Sequence, residues 1–465
     1  MRTLGLVHRY LGSTVGVLIL LWCGSGAVMM YVPYPKLTEA RRLQSLPPID
    51  WRARSSEPGF TLDGSAETRL EMLAGRPVLS QRTPSAARLI DLETGASRGP
   101  VTLAEARAVA GAYAADGSQA RLGTPATIEL DQWTVSGQFG RDRPLYRFAL
   151  GDEQGTELYV SSATGRLVQV TTHEQRLWNW LGSVPHWLYW QELRRNPRLW
   201  VQVIIAGSSL GILLTVSGLW LGARRAPRPP AASARTARDW HRLSGLAFGV
   251  FTLTWLVTGL LSVQPWGLLE TPDFPLEKLY GPAPAATRVE AALHALAGPL
   301  QGSRFVSVAL TPFDGEPFFV ASSADGQRQR FDAAGRPAPL TAAHFTDLAR
   351  RLGSSRPARL LTGAGGEPFD ARDSQRAAPV YRIFVPGPEP SELDLDAVSG
   401  ALVARIDGNA RASRWLERLH RLDGWPWRRG RPRGDALVLL LLGGVASSTA
   451  TGLWLGLKRL FIGQR

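Results

Sequence analysis

The chain has 465 residues, with 53 Lys and Arg against 39 Asp and Glu, and is long enough for two or three domains. Its single cysteine, Cys23, excludes an intrachain disulfide, a CxxC redox pair, a cysteine zinc cage and covalent haem attachment through CxxCH. The net charge of +14 comes with no nucleic-acid motif, which argues against nucleic acid as a partner and for basic residues that orient a membrane protein on anionic headgroups.

In chain order, four long runs are free of charge: Tyr10 to Pro35, Leu199 to Ala223, Leu243 to Leu269 and Ala436 to Leu457. Each meets the roughly 20 apolar residues needed to cross about 30 Å of hydrocarbon. The first is too long for the core of a signal peptide, and Met29-Met30-Tyr31 makes a poor cleavage site. The expected division is a transmembrane helix in 1–35, an outer domain in 36–198, a second helix in 199–223 and a short loop in 224–240. A third helix in 241–269, a second outer domain in 270–435, and a fourth helix with a tail in 436–465 complete it.

Flanking charge gives the orientation. Arg2 and Arg9 precede the first run, and Lys458, Arg459 and Arg465 follow the last. Arg224, Arg225, Arg228, Arg235, Arg238 and Arg242 lie between the second and third. All three groups fall on one side, expected to be cytoplasmic, of a bacterial inner membrane. Both long polar segments then project into the periplasm. They read as α+β, with helices at Leu103 to Ala115 and Thr341 to Leu352. Strands are expected at Tyr146–Leu150, Leu158–Val160, Tyr381–Val385 and Leu393–Leu395, with turns at Thr164-Gly165 and Ser399-Gly400. Proline-rich linkers occupy about 36–60 and 270–290.

The sequence reads as an internal duplication. His8-Arg9-Tyr10-Leu11-Gly12, with Gly16, Trp22 and Gly26, repeats 233 residues later as His241-Arg242-Leu243-Ser244-Gly245, with Gly249, Trp255 and Gly259. Ser217-Gly218-Leu219-Trp220-Leu221-Gly222 repeats at an offset of 234 as Thr451-Gly452-Leu453-Trp454-Leu455-Gly456. Pro144-Leu145-Tyr146-Arg147 matches Pro379-Val380-Tyr381-Arg382 at 235. Each unit is helix, outer domain, helix. Two such units face the same way, as a parallel repeat about an axis along the membrane normal.

Of the seven histidines, four fall on the repeat: His8 with His241, and His186 with His420 at an offset of 234. His173, His294 and His344 have no counterpart. The topology puts one pair at each membrane surface, and two neutral imidazoles facing across a twofold axis form the axial ligand set of a six-coordinate haem. Glycines at +4, +8 and +18 from His8 and His241 would leave a flat slot for a porphyrin; small residues that only let helices pack closely are the plainer account. Two imidazoles per site underfill a zinc or non-haem iron shell. Around the outer pair, Trp178, Trp180, Trp187, Trp190, Trp415, Trp425 and Trp427 suit an interfacial aromatic belt.

The His-Arg openings, the Gly-Leu-Trp-Leu-Gly endings and the outer segments closing at Gly165 and Gly400 resemble the PepSY-associated transmembrane helix family over nearly the whole chain. The resemblance implies a four-helix membrane protein with two periplasmic PepSY-like domains. That family includes proteins resembling iron-regulated inner-membrane di-haem ferric-siderophore reductases. It therefore implies two haem b per chain, held by His8, His241, His186 and His420, and reduction of a periplasmic ferric siderophore or other ferric chelate. The chain carries no nucleotide-binding fingerprint, so electrons are expected from a separate quinol or flavoprotein donor. Two competing readings remain: a membrane-anchored PepSY-type binding or regulatory protein without redox activity, and a transporter. The lack of Asp, Glu, Lys or Arg within the apolar runs weighs against a coupled pump.

Overall fold

The computed structural model describes residues 2–52, 62–64, 66–83, 86–114, 122–224, 236–362, 379–422 and 433–462. Arg225, Arg228, Arg235, Arg465, Trp425, Trp427 and Ala115 lie outside the described residues. The chain forms two compact units: Met1–Tyr34, Glu174–Glu270 and Asn409–Arg465 make a helical one, and Pro35–His173 with Thr271–Gly408 make one built on sheets.

In the helical unit, Arg2–Met29, Pro197–Ala223, Ala237–Ser262 and Arg433–Ile462 form four long helices. All four are long and apolar enough to cross a membrane. The first and third begin before the charge-free runs, because the polar turns carrying Arg9 and Arg242 are already helical. They end earlier than the runs do, where Pro33 and Pro265 interrupt the backbone. The second is capped by Asn196, which accepts the Leu199 N–H, with Pro197 in its first turn. Asp239 caps the third by accepting the Thr236 N–H at 3.0 Å.

The first helix packs on the second and fourth, and so does the third, leaving the first and third on one diagonal. Val15, Ile19, Cys23, Leu214, Leu256 and Val445 fill the centre, with Trp22 and Trp255 against them. The Cys23 thiol is thus a small buried packing group.

The sheet unit takes its strands from both polar segments. In chain order they are β1 (Glu67–Leu73), β2 (Arg76–Arg82), β3 (Ala87–Asp91) and β4 (Ser97–Arg98). Then follow β5 (Ala126–Ile128), β6 (Leu145–Ala149), β7 (Glu157–Ser161) and β8 (Leu167–Thr171). The second segment adds β9 (Phe305–Leu310), β10 (Phe319–Ser323) and β11 (Arg328–Phe331). It closes with β12 (Arg359–Leu361), β13 (Val380–Val385), β14 (Ser391–Asp396) and β15 (Leu402–Ile406).

Two four-stranded sheets have the same antiparallel order, β5-β6-β7-β8 and β12-β13-β14-β15. Their pairings slip at corresponding points, Tyr159/Val160 and Asp394/Leu395. Each then turns through a glycine at φ +74°, Gly165 and Gly400, where any side chain would be strained. The helix Leu103–Ala114 lays Ala106 and Ala110 in one core with Phe148 and Leu158; Ala342–Arg351 lays Phe345 and Leu348 in another with Ile383 and Leu393.

The third sheet is shared. Its order is β11-β10-β9-β1-β2-β3-β4, and β1 meets β9 antiparallel through Arg69↔Ala309, Leu70↔Val308 and Glu71↔Ser307. Leu70, Leu79 and Ile90 from the first segment share a core with Val289, Leu293, Leu296, Val308 and Phe319 from the second. The polar segments therefore meet in one continuous sheet. The expected second linker is partly helical, Ala286–Leu300, and is packed into that core.

An ion cluster centred on buried Arg42, with Glu71 largely covered and Glu39 half exposed, straddles this seam. Arg42, 3% exposed, donates from Nη2 to Glu71 Oε1 and to Glu39 Oε1, each at 2.7 Å. Ser307 Oγ on β9 donates to Glu71 Oε1 at 2.8 Å. Burial would raise the Glu39 carboxyl, but the Arg42 hydrogen bond and the charges of Arg42, Arg69 and Arg166 outweigh it and hold it down to about 2. Breaking a buried pair leaves an uncompensated charge, so Arg42→Met is expected to cost about 3–5 kcal/mol of sheet-unit stability. A carboxyl with a depressed pKa stabilises above its unfolded value and loses that contribution as pH falls. Unfolding followed by tryptophan fluorescence should therefore weaken from about pH 4.5 towards 2, with a shallower acid limb in Arg42→Met.

Candidate sites at the two ends of the helical unit

His8 sits two turns into the first helix and His241 one turn into the third. Their ring centres are 6.2 Å apart and the planes are inclined at 41°. His186 ends the short helix Ser183–His186, and His420 lies near the end of Gly408–Arg421. Their ring centres are also 6.2 Å apart, inclined at 71°. The structure thus brings together both pairs expected from the repeat. Ser25, the contact of His186, lies 17 residues beyond His8 on the first helix, so the pairs are separated by about 25 Å along it at 1.5 Å per residue.

Each imidazole is fixed through Nδ1. His8 Nδ1–H donates to the Leu214 carbonyl at 3.1 Å, and His241 Nδ1–H to the Ser448 carbonyl at 3.0 Å. A carbonyl only accepts, so Nδ1 carries the proton and Nε2 the lone pair. The hydroxyls at the other end give the same result. Ser25 gives its proton to Leu21 O and Thr258 gives its own to Thr254 O. Their oxygens are then left to accept from His186 Nδ1 at 3.1 Å and His420 Nδ1 at 2.8 Å. Burial holds the His186 imidazole down to about 4, and burial together with the nearness of His186 and Arg421 does the same for His420, so both are neutral at neutral pH.

Glycine makes room for the rings. A Cβ on Gly218 would stand 2.6 Å from His8 Cε1, and one on Gly452 would stand 2.6 Å from His241 Cε1. At the other end, a Cβ on Gly26 would come to 3.2 Å from His186 Cε1. The slot expected along the first and third helices is realised differently. Gly12, Gly16, Gly245 and Gly249 face Leu214, Thr449, Ser448 and Leu219 of neighbouring helices and serve close packing. Only the +18 glycines, Gly26 and Gly259, meet a histidine, and it is the outer one.

The ring spacing of each pair would suit one metal held between two imidazoles. A metal–imidazole bond of about 2.0–2.1 Å plus about 1.1 Å from nitrogen to ring centre would place the two rings about 6.3 Å apart, centre to centre. Both pairs stand at 6.2 Å. Outside them, His344 accepts the Thr341 N–H and caps its own helix. Among the described residues no group of three or more His, Cys, Asp or Glu is placed to hold a metal ion.

Of the residues supporting the rings, Ser25 and Thr258 were not singled out from the sequence, yet the repeat marks them as hydroxyls 233 residues apart; Gly218 and Gly452 stand in the two Gly-Leu-Trp-Leu-Gly endings already noted there. Four membrane-crossing helices and an α+β unit define a multi-pass membrane protein. The family model for the PepSY-associated TM region matches residues 6–459, and the chain belongs to that family. No curated protein matches it.

Proposed function

We propose that this protein is an inner-membrane di-haem oxidoreductase that carries electrons to a ferric siderophore or other ferric chelate in the periplasm. One observation carries the reading: two imidazole pairs at opposite ends of the bundle, each 6.2 Å apart, each ring tethered through Nδ1. In this reading His8 and His241 hold one haem b and His186 and His420 the other. Haem supplies reversible one-electron chemistry. The chain's residues orient the four imidazoles, keep Nε2 deprotonated, and exclude water around the rings. The basic residues beside the helices support a cytoplasmic placement of the His8 end, and the duplicated motifs support two copies of one ancestral unit. The ferric-chelate acceptor and a separate quinol or flavoprotein donor rest on the family resemblance.

Purified in detergent after expression with ample haem supply, the protein should show sharp reduced α and Soret bands on dithionite addition, with two haems per chain. A colourless protein would sink the redox reading and leave a PepSY-type binding or regulatory protein. Thr258→Val removes the hydroxyl acceptor for His420 Nδ1 and leaves only the Trp255 carbonyl beside it. It makes that ligand less electron-rich, so the midpoint potential of one haem should rise while the other stays fixed in a redox titration.

A further inference from the structure

Beside His186 and His420 run two shorter helices that bury almost nothing. In His173–Leu181 only Asn179 is buried, and in Gly408–Arg421 no residue is. Both nevertheless carry large apolar side chains: Leu177, Trp180 and Leu181 are each about half exposed, Trp415 is 63% exposed and Leu419 40%. Each helix is tied to the bundle near the end of a membrane-crossing helix. Asn179 Nδ2 donates to the Pro33 carbonyl at 3.2 Å, four residues past the end of the first helix at Met29. Trp255 Nε1 donates to the His420 carbonyl at 2.9 Å, and Thr258 holds His420 Nδ1 four residues before the third helix ends at Ser262. At 1.5 Å per residue that is about 6 Å inside its end. The exposed apolar faces therefore continue the surface that the four long helices present to hydrocarbon.

The two helices differ in charge. At the offset of 234 that relates His186 to His420, Leu177 and Trp180 correspond to Arg411 and Arg414. Gly408–Arg421 carries four arginines against one acid, Glu417, which pairs with Arg421. At about 100° per residue, Arg411, Arg418 and Arg414 fall about 40°, 60° and 100° to one side of Trp415, with Leu419 about 40° to the other. His420 lies about 140° from Trp415 and reaches into the bundle. An apolar stripe edged by cations is the pattern of a helix at a membrane surface, its apolar side chains among acyl tails and its cations at lipid phosphates.

We propose that Gly408–Arg421 docks on anionic phospholipid at this end of the bundle, with Trp415 and Leu419 among the acyl chains and Arg411, Arg414 and Arg418 at the headgroup phosphates. The site is independent of haem binding. To test it, the full-length protein is reconstituted in vesicles of equal parts phosphatidylcholine and phosphatidylglycerol, with one lipid or the other brominated on its acyl chains. Bromine quenches tryptophan on contact, and the difference between the parent protein and Trp415→Phe isolates Trp415 from the other tryptophans. Brominated phosphatidylglycerol should quench Trp415 at least about twofold more than brominated phosphatidylcholine does. Trp180, isolated through Trp180→Phe, should be quenched equally by both. Arg411→Gln with Arg414→Gln should abolish the preference at Trp415 and leave the quenching, whereas Arg411→Lys with Arg414→Lys should keep the preference. Trp415 unquenched by either lipid, or quenched equally by both in the parent protein, overturns the proposal. So does a preference that survives the double glutamine variant, or one as strong at Trp180, which would trace it to the bulk leaflet and not to these arginines.

Discussion

Replacing His241 with alanine is expected to leave one haem per chain in place of two. His8→Ala should give the same spectrum, because the two ring centres stand 6.2 Å apart and in the proposed reading one haem is held by both. His186→Ala and His420→Ala should match each other and retain the complementary bands. The decisive variant joins ends: His8→Ala with His420→Ala should be colourless, while His8→Ala with His241→Ala should still hold one haem. Haem stoichiometry by pyridine haemochrome, with the α band at low temperature, separates these cases. Four independent partial losses, or a double variant at one end that is colourless, would break the pairing.

A second large effect is expected from one methyl group. Gly452→Ala puts a Cβ 2.6 Å from His241 Cε1, closer than real Cβ contacts come, so the ring must shift from its hydrogen bond to the Ser448 carbonyl. Haem at that end should bind at least tenfold more weakly, in line with the loss seen when ligand orientation is disturbed. Gly218→Ala should do the same through His8. Gly245→Ala is the control: its Cβ would meet Ser448 Oγ at 3.6 Å, an ordinary contact, and both haems should remain. Equal spectra for Gly452→Ala and Gly245→Ala would show that glycine 452 serves helix packing only.

Much of this architecture could be read before any coordinates. The four helices were visible because a bilayer demands length and apolarity, which are local properties of sequence. The histidine pairs were visible because duplication writes each of these histidines twice; His173, His294 and His344 lack that second copy. The strands expected at Tyr146–Leu150 and Leu158–Val160 form as Leu145–Ala149 and Glu157–Ser161, ahead of the turn at Gly165, whereas Leu167–Thr171 was not anticipated. What escaped depends on non-local pairing. Nothing in the composition of Glu67–Leu73 announces that it will lie beside Phe305–Leu310, some 240 residues on. The acceptors for His8 and His241 are backbone carbonyls, which carry no residue signature. Gly12, Gly16, Gly245 and Gly249 were legible as a stripe, but a stripe on one helix does not say which neighbour it faces.

The shared sheet has a consequence for how the molecule is made. Strand β1 leaves the ribosome with β2, β3 and β4, but its other neighbour, β9, follows about 240 residues later. At about 5–20 residues per second, that edge stays open for roughly 10–50 s of synthesis. Two more membrane segments are inserted within that interval. An open edge of this kind invites pairing with the wrong chain. Until β9 arrives, the first half must carry the N–H and C=O groups of that β1 edge unpaired in the sheet.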